Sequence, residues 1–133
     1  MRTSARGHWL RAVILGLGVA TSGCVAAAAA GAAGAVYATS RGVESLVNGP
    51  IETVAARSQA VMKEMGITEE GSKTDDGGAT REFKGKQGDL DVTVQLSSQD
   101  SATTKVEVSA RKNLAEWDKD YARQVLEKIV KRS

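Results

Sequence analysis

Residues Asp89–Leu96 read DLDVTVQL. In an extended chain Leu90, Val92, Val94 and Leu96 fall on one side, and Asp89, Asp91, Thr93 and Gln95 on the other. A strict period of two marks a strand in a sheet with one apolar face and one wet face. The same alternation returns at 103–111, TTKVEVSAR, with Thr104, Val106, Val108 and Ala110 on the apolar side. A polar turn, SSQDSA at 97–102, separates the two runs. Upstream, ATREFKGK at 79–86 also alternates, and Phe83 is its main candidate for burial. Asp75-Asp76-Gly77-Gly78 and Gln87-Gly88 are turn sequences on either side of it, and Ile67–Lys73 reads as a weaker strand. Connections this short make neighbouring strands antiparallel.

Two helices frame the strands. In NGPIETVAARSQAVMKEMG, 48–66, the residues Ile51, Val54, Ala55, Val61, Met62 and Met65 recur at helical spacing. Pro50 suits a first helical position. Glu52 suits the positive end of the dipole, and Gly66 suits the turn just past the last residue. The segment before it, VESLV at 43–47, alternates through Val43, Ser45 and Val47 and reads as a short strand. The second helix is expected over Glu116–Arg132. Leu114, Trp117, Tyr121, Val125, Leu126 and Ile129 are assigned to its apolar side. Trp117 and Tyr121, one turn apart, are read as core residues; stacking on a ligand between helices and sheet is the alternative. Together these elements predict an α+β two-layer sandwich, an antiparallel sheet of four to five short strands with two helices on one face. Its other face, with Thr93, Gln95, Lys105, Glu107 and Ser109, is left to solvent or a partner.

Composition removes several classes of function. The chain has 133 residues, with 18 Lys and Arg against 16 Asp and Glu. Its one histidine, His8, and its one cysteine, Cys24, both lie near the start. Domain 43–133 therefore lacks the residues for a zinc site or a Ser-His or Cys-His nucleophile in their usual forms. No internal disulfide can form. The carboxylate pairs Asp75-Asp76 and Asp89/Asp91 read as turn and polar strand face. No catalytic residue, cofactor or metal is expected, and the chain is not read as an enzyme. A nucleic-acid partner is not expected either, because the domain has no broad basic face.

The first 42 residues differ from the rest. Arg2, Arg6 and Arg11 precede an apolar run, AVILGLGVA at 12–20, and then Thr21-Ser22-Gly23-Cys24. A basic start, a short apolar core and small residues before a cut site are the parts of a secretory signal. The pattern resembles a bacterial lipobox, which implies cleavage before Cys24 and lipid on its thiol. Thr21 departs from the leucine common at that position. Removing 1–23 takes away three arginines and no acid, leaving fifteen basic against sixteen acidic residues. The competing reading is an uncleaved anchor, because 12–38 carries no charge and a span needs roughly 20 apolar residues. The expected division is a signal at 1–23, lipidated Cys24 with an Ala/Gly-rich tether at 24–42, and a periplasmic domain at 43–133 that folds without the first 42 residues. Residues 25–38 stand as a spacer, a short helix or a self-associating segment.

The signal and cysteine, the alanine-glycine stretch, GPIETVAARSQAVMKEMGI and the final ARQVLEKI helix together resemble a family of small bacterial lipoproteins, domain of unknown function 3568. That resemblance implies an exported, membrane-anchored α+β protein, with Cys24 as the lipid attachment residue and no known activity. The expected function is a structural or protein-interaction module of the envelope, with an envelope protein as partner. A periplasmic small-ligand-binding module is the alternative. Val25, rather than aspartate, after the cysteine points to the outer membrane facing the periplasm.

Overall fold

The computed structural model describes residues 34–132. The expected signal, Cys24 and most of the tether lie outside the described residues. Six strands and two helices follow in order: β1 (Tyr37–Ala38), β2 (Gly42–Asn48), α1 (Ile51–Glu64), β3 (Thr68–Asp75), β4 (Thr80–Gln87), β5 (Leu90–Asp100), β6 (Thr103–Arg111) and α2 (Lys119–Lys131). All pairings are antiparallel, and the sheet order is β1-β2-β6-β5-β4-β3.

The register follows the alternation in the sequence. Phe83, Val94 and Val108 are successive cross-strand partners, and so are Gly85, Val92 and Ala110. Val43, Val47, Val92, Val94, Leu96, Val106 and Val108 are buried on this face. They share one core cluster with Val54, Val61 and Met62 of α1 and with Ala122, Val125, Leu126 and Ile129 of α2. The helices also contact each other. At their ends Glu64 accepts hydrogen bonds from Lys128 Nζ at 3.1 Å and Arg132 Nη1 at 2.9 Å.

The chain crosses from β2 to β3 through α1, from near one edge of the sheet to the other. Gly85 makes room for that crossing. A Cβ there would stand 2.7 Å from both Ile67 Cγ2 and the Thr68 carbonyl oxygen.

The structure corrects the expectations in four places. The sheet has six strands rather than four to five, because Tyr37 and Ala38 pair with Glu44 and Val43. These residues fall in the expected tether. Gly34 N–H also donates to the Leu46 carbonyl at 2.7 Å, and Val36 packs against the core. The fold therefore takes in chain before residue 43. Second, Pro50 is the N-cap of α1 in extended conformation, and Ile51 is the first helical residue. Third, Ser97–Asp100 continues β5 past a register shift between Ser98 and Asp100 rather than forming a turn. Fourth, α2 begins at Lys119, not Glu116. Asp118 Oδ1 accepts from Tyr121 N–H at 2.9 Å, which satisfies an otherwise orphan donor of the first turn. Leu114 is consequently outside the helix, at a loop tip, 92% exposed.

Candidate functional site

Trp117 does not lie between helices and sheet. It makes an antiparallel bridge to Arg111. Asp118 N–H donates to the Ala110 carbonyl at 2.7 Å, and Lys112 N–H to the Glu116 carbonyl at 2.9 Å. The chain after β6 thus folds back on itself before α2 starts. Partners directly across a sheet point to the same face. Trp117 therefore shares the face of Arg111, which is the wet one. The guanidinium carbons of Arg41 and Arg111 lie 5.8 and 5.9 Å from its ring centre, within cation–π range. Tyr121 packs at the edge of the core on the helix side, where burial, with a smaller contribution from Asp118, pushes its phenol pKa up. The two aromatics that the sequence reading placed together in the core stand on opposite sides of the sheet.

The wet face is built of rows running across the strands. One row is Lys86, Asp91, Arg111 and Trp117. The next is Lys84, Thr93, Ser109 and Gly42, and the third is Glu82, Gln95, Glu107 and Glu44. The middle row is short at Thr93, Ser109 and Gly42, and the longer side chains around these positions leave a groove of about 440 Å³ across the sheet. Thr93 and Ser109 form its floor. Gly42 closes against β6 so tightly that a Cβ would meet the Val108 carbonyl oxygen at 2.0 Å. One wall carries Arg111, Arg41 and the indole together with the Asp91 carboxylate, and the other carries Glu82, Gln95 and Glu107.

Weak ion pairs hold both walls. Asp91 lies 3.7 Å from Lys86 and 3.9 Å from Arg111, Glu82 lies 3.2 Å from Lys84, and Glu44 lies 3.8 Å from Lys105. Among the described residues Glu107 makes no salt bridge. Exposed pairs of this kind contribute little stability, up to about 1 kcal/mol each.

Thr93, Gln95, Lys105, Glu107 and Ser109 lie on the face the sequence assigned to them. The reading missed Trp117, Arg41 and Arg111 as one cluster. Its signal was the run Trp117-Asp118-Lys119-Asp120: an aspartate N-cap with a second acid in the first turn starts the helix after the tryptophan. Asp75-Asp76 is in the expected turn, with Lys73 Nζ 2.8 Å from Asp75 Oδ2. That contact raises the Lys73 pKa. Asp89 sits in the turn between β4 and β5, and Asp91 is taken up in the wall pairs. Among the described residues no three His, Cys, Asp or Glu side chains group as a metal site, and no helix is long and apolar enough to cross a membrane.

The family model described as protein of unknown function, DUF3568, matches residues 9–132. The chain belongs to the DUF3568 family. The match takes in both helices and all six strands of the fold described above. No curated protein and no solved structure matches this DUF3568 chain.

Proposed function

We propose that this DUF3568 protein is a bacterial envelope lipoprotein. Residues 1–23 serve as its signal, lipid on Cys24 anchors it in the membrane, and 43–133 forms the bulk of a periplasmic structural or interaction domain. The carrying observation is Cys24 itself. It is the one cysteine in the chain, and it follows three arginines, a short apolar run and Thr21-Ser22-Gly23. Gly34, where the described fold begins, follows ten positions later, so the segment between is short. The outer membrane, facing the periplasm, is the proposed site.

The domain's part is to hold out its open sheet face. The helices cover the apolar side, and the opposite side carries Trp117, Arg41 and Arg111, residue types enriched where interfaces bind tightly. A protein of the envelope is the first partner proposed. The groove across that face favours a second reading, a ligand-binding module.

The test of the anchor is Cys24→Ser. The wild type should take up a labelled fatty acid and migrate as the shorter, cut chain. The variant should take up none and stay at precursor size. Equal size with no label in either would replace the lipoprotein with an uncleaved helical anchor.

A further inference from the structure

We infer that the groove across the wet face binds a neutral oligosaccharide strand of two or three sugar residues. This rests on the reading of that face as the contact surface and is independent of lipid on Cys24. Four features carry it.

The first is shape. Four strands at roughly 4.8 Å spacing make the groove about 14 Å long, and its walls are four residues apart, about 13 Å between backbone rows before side chains fill the space. A single extended chain fits along a groove of these dimensions.

The second is charge. The lining has three cationic side chains, Arg41, Lys84 and Arg111, and four anionic ones, Glu70, Glu82, Asp91 and Glu107. With both signs interspersed along the lining and near balance overall, neither a polyanion nor a polycation is favoured along its length. Hydroxyl groups both donate and accept, so a sugar chain can satisfy the guanidinium wall and the carboxylate wall together.

The third is the floor. Thr93 and Ser109 offer hydroxyls, and the central strands β5 and β6 have neighbours on both sides. Their backbone groups are committed to the sheet, so a peptide lying here could not add as a strand, the mode that gives extended peptides their affinity. A ligand in this groove must bring its own donors and acceptors.

The fourth is Trp117. Trp117 is partly exposed at one end of the groove, with the guanidinium carbons of Arg41 and Arg111 5.8 and 5.9 Å from its ring centre. The part of the indole left uncovered by the two guanidinium groups presents an apolar surface to the C–H face of a pyranose.

The experiment titrates the detergent-solubilised full chain with chitotriose and, separately, cellotriose. It follows tryptophan fluorescence and the amide shifts of Thr93 and Ser109. At least one sugar should bind saturably, with an affinity that changes less than twofold between low and high salt, because a neutral ligand releases no counterions. Trp117→Ala should weaken binding tenfold or more. Ser109→Arg, which fills the floor, should do the same, while both variants keep the wild-type melting profile. Leu114→Ser, at the exposed loop tip, should leave binding unchanged. Absence of saturable binding by either sugar overturns the inference, as does equal binding by wild type and both groove variants. If Trp117→Ala instead abolishes capture of an envelope protein while neither sugar binds, the glycan assignment falls and the protein-contact reading of the same face stands.

Discussion

Val94→Asp tests the sheet register at its centre. Val94 is fully buried, with Phe83 and Val108 as its cross-strand partners, themselves buried. Replacing it removes a buried valine side chain, a loss of roughly 1.5–3 kcal/mol. It also puts a carboxyl group among aliphatic neighbours. Full burial raises such a pKa by about 3–5 units, and at about 1.36 kcal/mol per unit, counted from the unfolded value up to the working pH, this costs roughly 4–5 kcal/mol at pH 7.5. The total, about 6–8 kcal/mol, matches or exceeds the stability of a small domain in the lower part of the typical range of about 5–15 kcal/mol. Val94→Asp should therefore be largely unfolded at pH 7.5 by circular dichroism. The sign of the pH effect is fixed. The folded state holds the acid protonated, above its unfolded value near 3.9, so the variant gains relative stability as pH falls toward 4 and loses it as pH rises. Thr93→Asp, one residue away on the groove floor, should change stability by about 1 kcal/mol or less. Equal melting curves for the two variants, or a Val94→Asp chain insensitive to pH between 4.5 and 7.5, would refute the register and the burial assigned here.

Three further outcomes follow from other parts of the fold. A chain starting at residue 43 should still unfold cooperatively, yet melt below one starting at residue 34, because it lacks β1, the Gly34–Leu46 hydrogen bond and Val36; identical melts would mean this edge adds nothing. Asp118→Ala removes the N-cap of α2 and should cost about 1 kcal/mol in denaturant unfolding, with Asp118→Asn recovering most of the loss. Lys128, with a lesser contribution from Arg132, lowers the Glu64 pKa, so the stability difference between wild type and Glu64→Gln should be present above the ordinary carboxylate range and disappear as pH falls through the lowered value. It should also shrink in high salt, since the pair is exposed.

The alternation in DLDVTVQL and TTKVEVSAR determined the wet and dry faces of the sheet. One slip in register would have turned every valine outward, so burial leaves a single solution. The apolar stripe of GPIETVAARSQAVMKEMG determined α1 in the same way. The lipobox-like start determined the proposed anchor, because a signal is read as a linear pattern and needs no fold. Only the tertiary structure decided where Tyr37, Arg41 and Trp117 go. Tyr37-Ala38 is too short to announce a strand, and it becomes one because β2 offers an unpaired edge. Trp117 lies at helical spacing from Tyr121, but Asp118 caps the helix after it and the bridge to Arg111 turns its ring to the opposite face. The groove is likewise a product of register. Thr93, Ser109 and Gly42 lie on three different strands, and they become one low stretch between longer side chains only when those strands align.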